Sequence, residues 1–147
     1  NAAFNPLRSE FLSDLVMKPR LLDGEFFRLF LTRVVDKAQT KGVYLEPRIS
    51  IKGKRRNEWE CLAKWVHANK ETVIRDHLLW GIQLPRIYPL YHGKGVESFG
   101  ELVTNFFGPL FDATLQPEGN AEVSWFLEHC AVIDTVDNED KADDYDL

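Results

Sequence analysis

Polar side chains that could bind a ligand or move a proton lie within or just after three predicted strands. They are Glu46 and Arg48 in the first strand, Gln83 and Arg86 around the end of the second, and Asp134, which follows residues 131–133 of the third. In parallel α/β folds such groups gather at the carboxyl edge of the sheet, where loops vary over a rigid frame. A carboxylate there can orient a ligand or act as an acid or base, and a guanidinium can grip an anion.

Each of these groups also has a structural interpretation. A charged side chain in a strand that should be buried needs a polar partner, so an ion pair of Arg48 is favoured over anion binding by Arg48. Gln83 and Arg86 could equally satisfy neighbouring backbone groups. Asp134 alone does not assign a reaction.

A dense basic run at residues 52–56 is a second candidate site. It lies just before a helix start predicted at Asn57, and backbone N–H groups at a helix start bind phosphate well. A loop whose charges are solvated is the favoured interpretation, because charge runs usually form solvated surfaces.

Histidines and cysteines do not form a recognisable metal motif. The histidines lack H-x-H and H-E-x-x-H spacing, and the two cysteines are predicted to be reduced, largely buried thiols in a reducing compartment. No catalytic residue and no metal ligand is therefore assigned from spacing. These residues are His67, His77, His92, His129, Cys61 and Cys130.

Helices and strands are predicted to alternate along the chain. Apolar residues recur at helical spacing over 23–41, where Phe26, Phe30, Leu31 and Val35 are among the members of one stripe. Apolar runs predict three strands at roughly 43–51, 78–86 and 131–135. Further helices are predicted over 9–17, from Asn57 to 66, from 98 to a break at 108–109, and over 121–129.

Strands that are apolar on both faces are typical of sheets covered on both sides, which are usually parallel. The pattern therefore predicts one α/β unit with crossover helices, assigned to residues 1–135. Residues 136–147 are predicted to be an acidic, mobile tail.

The composition is typical of a soluble globular domain. The chain has 147 residues, of which 44% are hydrophobic, and it lacks the ~20-residue apolar run of a membrane span. From Asp134 onward there are seven acidic residues and one lysine, which leaves 17 basic and 16 acidic residues before it. A neutral body with an acidic end argues against nucleic-acid binding, which needs a basic face. We expect a cytoplasmic protein that binds neither nucleic acid nor membrane.

Several blocks of the sequence resemble, in the same order, motifs of the AMP deaminase family. Residues 46–53 read E-P-R-I-S-I-K-G and resemble that family's E-P-R-L-S-I-Y-G. Residues 80–88 match its W-x-I-Q-x-P-R-x-Y block, residues 109–114 resemble P-L-F-E-A-T, and residues 133–141 resemble F-D-S-V-D-D-E-S-K. Phe4, Asn5 and Pro6 resemble the Y-N-P of the family's substrate loop, although Ala3 stands where the family has lysine.

This resemblance implies a zinc-dependent hydrolase that converts AMP to IMP and ammonia on a (β/α)8 TIM barrel. The chain would supply only part of that barrel, about three parallel strands, since the family's zinc and acid–base motifs flank the matching region. Zinc is the cofactor expected of the intact enzyme, and this chain alone is expected to bind none. Phe4, Asn5 and Pro6 are the substrate-binding residues that the resemblance implies, with AMP as substrate.

The sequence leaves two functions open. The chain is either a fragment of an AMP deaminase, inactive alone, or a non-enzymatic module derived from a deaminase that binds or regulates. A partial barrel would also expose unpaired strand edges, so we expect self-association through them.

Overall fold

The computed structural model describes residues 24–86 and 88–137. The helix predicted over 9–17, the residues Phe4, Asn5 and Pro6, and residues 138–147 lie outside the described residues. The chain divides into two compact units, residues 1–45 with 65–78, and residues 46–64 with 79–147. None of the helices within the described ranges has the length and apolar composition of a membrane span.

The first unit is built around helix α1 (Glu25–Thr40), which follows Gly24 in the left-handed conformation at φ 78°. Leu31, Val35 and Ala38 form its buried side. Phe26 and Phe30, two members of the apolar stripe that the sequence predicted, are 50% and 64% exposed.

A second helix, α2 (Glu58–Ala68), contributes its last residues to this unit and its first to the other. The ring of Phe27 stacks on Trp65 of α2, with centroids 5.1 Å apart. The short helix α3 (Lys70–Val73) follows α2 and packs against α1. The backbone N–H of Leu45 donates to the carbonyl of His77 at 2.8 Å, which joins the two segments of this unit.

The second unit contains a three-stranded parallel sheet in the order β1 (Arg48–Ser50), β2 (Trp80–Pro85) and β3 (Cys130–Val136). This confirms a partial α/β fold with an open sheet. The first strand is shorter than predicted, since only residues 48–50 of 43–51 form it. Because β3 extends to Val136 and residues 138–147 lie outside the described part, the assignment of 136–147 as a tail stays a prediction.

Helices connect the strands of this unit. The start of α2 and a short helix α4 (Tyr88–Tyr91) precede α5 (Phe99–Leu115), and a 3₁₀ turn (Pro117–Asn120) leads into α6 (Ala121–Leu127). Helix α5 begins at Ser98, whose hydroxyl accepts from the N–H of Glu101 at 3.1 Å, which satisfies one of the free donors at a helix start.

The helix break predicted at residues 108–109 is wrong, because α5 continues through Pro109. A proline inside a helix loses one backbone hydrogen bond. Leu102, Phe106, Pro109 and Ala113 are all buried along the same helix. Burial of that continuous apolar stripe offsets the lost hydrogen bond.

Aromatic side chains form the core between the sheet and these helices. Trp59 of α2 meets Phe106 of α5 edge to face at 5.5 Å, and Trp80 of β2 meets Phe126 of α6 at 6.1 Å. All four side chains are fully buried. They cover one face of the sheet, where Ile82 is also completely buried.

Candidate functional site

The opposite face of the sheet carries polar side chains, and we call it the polar face. It is formed by alternate residues of the three strands, because successive strand residues point to opposite sides. The sequence predicted a sheet covered on both faces, which is wrong for the described residues, since the side chains of Arg48 and Asp134 are 44% and 40% exposed. Its strand residues are Arg48, Ser50, Gly81, Gln83, Val132 and Asp134, and Glu46, which precedes β1, joins them through its contact with Arg48.

Arg48 lies at the centre of the polar face and holds two carboxylates. Its Nε donates to Oε1 of Glu46 at 2.9 Å, and a terminal guanidinium nitrogen lies 2.8 Å from the same oxygen. Its other terminal nitrogen donates to Oδ2 of Asp134 at 2.8 Å, across 86 positions of sequence. A planar guanidinium with several donors suits this double contact. The ion pair predicted for Arg48 is confirmed, but it lies at the surface.

Gly81 makes the contact between the outer strands possible. It lies on β2 between Arg48 of β1 and Val132 of β3. A Cβ at this position would be 3.0 Å from Cγ of Arg48 and 3.4 Å from Oε1 of Glu46. The first distance is tighter than ordinary van der Waals contact, so a side chain at Gly81 would push Arg48 aside. Arg48 crosses the central strand over the only position of β2 that has no side chain.

A row of three polar residues lies one step nearer to the carboxyl ends of the strands. Ser50, Gln83 and Asp134 are register partners across β1, β2 and β3. They offer a hydroxyl, an amide and a carboxylate on one line, and all three are half-buried. The structure thus brings Gln83 and Asp134 together, as the sequence predicted for groups near strand ends. Asp134 lies within β3, which agrees with the strand predicted at roughly 131–135.

The basic run at residues 52–56 folds around an internal carboxylate. Oε2 of Glu58 accepts from the backbone N–H groups of Lys52 and Gly53 at 2.7 and 3.1 Å, and Oε1 accepts from those of Lys54 and Arg55 at 3.1 and 3.3 Å. Successive amides that converge in this way form an anion-binding concavity. Glu58 fills that concavity, so these four amides are not free to bind a phosphate.

Side-chain contacts fix the same loop from outside. The side-chain amide of Asn105 donates to the carbonyl of Gly53 at 3.2 Å, and the ammonium of Lys54 lies 4.5 Å from the ring centroid of Tyr91. Burial raises the pKa of Tyr91, and the negative charge of Glu58 adds to that rise. Arg56 pairs with Asp112 of α5. The loop is therefore a folded structural element whose charged side chains at Lys52, Arg55 and Arg56 are exposed, as the sequence predicted for a solvated loop.

The described residues do not fit a zinc ion. All four histidines and both cysteines are among them, and no group of three or more His, Cys, Asp or Glu side chains in this part of the chain could hold a metal. Nδ1 of His129 lies 2.9 Å from the carbonyl of Trp125, which is a local structural contact. The ligands of a zinc ion would therefore have to come from outside the described residues.

The two cysteines lie in different environments, and both are free thiols. Burial raises the pKa of Cys130 to about 12, and its Sγ donates to the carbonyl of Phe126 at 3.4 Å. Cys61 is exposed on α2. The prediction of two largely buried thiols is therefore wrong for Cys61, because α2 turns this residue outward between the buried Trp59 and Leu62.

Sequence reasoning missed Glu58 and Gly81. A glycine inside an otherwise apolar strand often marks a close approach of another group, so Gly81 carried a usable signal. Glu58 carried none, because an acidic residue in the first turn of a helix is common, and nothing in the sequence shows that its side chain turns back to the preceding loop.

The comparisons with known proteins agree over nearly the whole chain. The family described as AMP deaminase matches residues 1–146. The chain is 37% identical over 148 residues to AMP deaminase 3 of Rattus norvegicus, 35% over 144 residues to AMP deaminase 1 of Homo sapiens, and 34% over 146 residues to AMP deaminase of Saccharomyces cerevisiae.

These matches cover 96–99% of this chain but only 18–19% of the relatives' lengths. Whatever else such a protein contains, the matching region includes the polar face and the Glu58 loop. Given that the family match runs from the first residue to residue 146, the chain belongs to the AMP deaminase family, as a segment that spans about a fifth of the length of its curated relatives.

Proposed function

We propose that this chain is part of an AMP deaminase, a hydrolase of nucleotide metabolism that converts AMP and water to IMP and ammonia. The family match over residues 1–146 carries the proposal. The described residues hold no cluster fit for a metal, so we propose that the 147-residue chain alone neither binds zinc nor deaminates AMP. Zinc would be bound by other parts of the intact enzyme.

We further propose that the three strands form part of a (β/α)8 barrel. Parallel strands in the order β1-β2-β3, joined by helices that cover one face, support this. In such a barrel the polar face would line the interior, where parallel α/β enzymes place their ligands. The two free thiols suit a reducing compartment, which supports the cytoplasm as the location.

An assay of AMP deamination tests the proposed activity. Loss of adenine absorbance is measured with the 147-residue chain and with the complete open reading frame that contains it, each with and without added zinc. We expect turnover only by the longer protein. Turnover by the 147-residue chain would overturn the proposal that this chain is inactive alone. An inactive longer protein would favour the non-enzymatic binding or regulatory module.

Self-association of the isolated chain is a separate proposal. Among the described residues, β1 and β3 each pair on one side only, and Ile133 on β3 is 41% exposed. Unpaired strand edges recruit further strands. Sedimentation at about 100 μM should show a dimer or larger species, and Ile133→Lys should shift it toward monomer. Leu115→Lys, a matched change at a residue 77% exposed on α5, should not. A monomeric parent chain would refute this proposal.

A further inference from the structure

The polar face has more hydrogen-bond acceptors than donors. Glu46, Arg48 and Asp134 together carry a formal charge of −1, and Ser50 and Gln83 add neutral groups beside them. An anion that approached this face would meet two carboxylates whose only cation is already paired. A ligand that brings N–H or O–H donors would meet complementary groups.

Three of the five N–H donors of Arg48 point to carboxylates of the cluster. Its Nε and both terminal nitrogens contact Glu46 or Asp134 at 2.8 to 2.9 Å. A phosphate that approached the two remaining N–H groups would also approach the carboxylates of Glu46 and Asp134, whose negative charges would repel it. Arg48 therefore acts on the carboxylates and leaves little for an anionic ligand.

Each carboxylate retains one oxygen for a ligand. Arg48 contacts Oε1 of Glu46 and Oδ2 of Asp134, whereas Oε2 of Glu46 and Oδ1 of Asp134 have no hydrogen-bond partner within the part of the chain that the structure describes. Both side chains are about 40% exposed. The free oxygen of Asp134 lies at the level of Gln83, its register partner.

We propose that the polar face binds the nucleoside part of a nucleotide through its N–H and O–H donors, with Arg48, reaching across Gly81, as the positioning residue for Asp134. This proposal rests on the proposed function and specifies which part of AMP the described residues contact. Asp134 and Gln83 receive hydroxyl or amino groups, and the phosphate lies elsewhere.

Binding by the 147-residue chain is measured by NMR titration of its backbone amides. The probes are adenosine, AMP, ribose, 9-methyladenine and inorganic phosphate. We expect adenosine and AMP to shift the amides of Gln83 and Asp134 with dissociation constants within about threefold of each other, and phosphate to shift neither. Ribose and 9-methyladenine distinguish hydroxyl from amino donors as the source of the contact.

A matched pair of variants isolates the role of Asp134. Asp134→Asn should weaken adenosine binding about tenfold, which is the scale of one hydrogen bond to a charged group. Asp112→Asn removes the carboxylate of another exposed arginine pair, that with Arg56, and should change binding by less than twofold. Equal effects of the two variants would overturn the proposal.

Two further variants test positioning by Arg48. Gly81→Val retains every polar group but displaces Arg48, and Arg48→Lys retains the charge but cannot span both carboxylates. Both should weaken adenosine binding several-fold while the melting temperature stays within about 2 °C, with Arg56→Lys as the control. A purely structural role would lower the melting temperature without changing affinity.

The outcomes separate this inference from the proposed function. AMP binding more than tenfold tighter than adenosine binding, with phosphate in competition, would overturn the inference, as would an absence of shifts at Gln83 and Asp134. If the longer protein deaminates AMP but the amides of Gln83 and Asp134 do not shift, the inference fails and the proposed function stands. If the 147-residue chain binds adenosine at this face but the longer protein is inactive, the proposed function fails and the inference stands.

Discussion

The covered face and the polar face of the sheet are formed by alternate residues of the same three strands, yet they differ in what holds them together. On the covered face, Trp80 and Ile82 are completely buried against aromatic side chains from the helices. On the polar face, Arg48 and Asp134 remain about 40% exposed and are joined by hydrogen bonds.

This difference separates stability from specificity. Burial of large apolar side chains dominates the free energy of folding, whereas exposed ion pairs contribute little of it. Directional contacts such as those of Arg48 instead fix where charged atoms lie. We therefore expect substitutions on the covered face to unfold the second unit and substitutions on the polar face to alter binding.

The largest effect is expected on the covered face at Trp59. Trp59→Ala removes a fully buried side chain that packs on Phe106, and such truncations lower the free energy of unfolding by about 3–5 kcal/mol. Urea denaturation followed by circular dichroism measures the loss. Phe111→Ala, at a residue 65% exposed, should cost less than about 0.5 kcal/mol, and similar losses for both would break the comparison.

Thiol reactivity gives the next contrast. Since burial raises the pKa of Cys130 to about 12, its thiolate fraction at pH 8 is about 10⁻⁴, and iodoacetamide should label it at least about a hundredfold more slowly than the exposed Cys61. Mass spectrometry of peptides measures both rates. Similar rates in the folded chain would show that the covered face is open to reagent.

The same shift has a consequence for stability at high pH. The unfolded chain ionises the Cys130 thiol near its ordinary pKa of 9.0, whereas the folded chain keeps it protonated up to about 12. Folding is therefore progressively destabilised as the pH rises from about 9 toward 12. Cys130→Ala should remove this part of the pH dependence, which urea denaturation across that pH range measures.

A smaller effect is expected at Glu58, the first residue of α2, whose carboxylate binds the loop that follows β1. Glu58→Gln replaces one of the two carboxylate oxygens by an NH₂ group, which cannot accept hydrogen bonds from the two backbone N–H groups that this oxygen binds. The free energy of unfolding should therefore fall by about 2 kcal/mol. Glu60→Gln lies on the same helix and breaks only an exposed pair with Lys64, so it should cost less than about 0.5 kcal/mol. Equal costs would contradict a role for Glu58 in shaping the loop.

The smallest effect on stability is expected at Arg48. Arg48→Met removes the charge and retains much of the side-chain length, and it should lower the free energy of unfolding by at most about 1 kcal/mol, because the contacts are exposed. Urea denaturation measures it under the same conditions as Trp59→Ala. A loss above about 2 kcal/mol would show that the polar face contributes to folding and would blur the contrast between the faces.

The sequence predicted the parallel sheet well because apolar runs of strand length are a strong signal, and β3 was predicted to within one residue at each end. It indicated the apolar arc of α1 but not which residues of that arc are buried. Periodicity shows that Phe26 and Phe30 belong to an apolar arc, but the width of the surface that receives the arc is set by other elements. The continuation of α5 through Pro109 has the same origin, since tertiary burial outweighs a local preference.

The candidate site was only partly accessible from the sequence. The pairing of Arg48 could be predicted because a charged strand residue needs a partner. That Asp134 is one of its partners depends on the register of β3 against β2. Register across a crossover connection is a long-range property. The fold of residues 52–56 around Glu58 likewise depends on a side chain turning back along the chain, which spacing alone does not reveal.

Gly81 also constrains the order in which this sheet can change during evolution. The absence of a side chain there lets positions 48 and 134, which are 86 residues apart, contact each other. The effect of a substitution at one of them therefore depends on the residue at the other. A lineage that replaced Gly81 first would displace Arg48 and leave two carboxylates without their shared cation. One that first lost the charges at 46, 48 and 134 could then accept any strand-forming residue at 81. Gly81 can therefore be replaced without disturbing a contact only after the charged residues at 46, 48 and 134 have been lost.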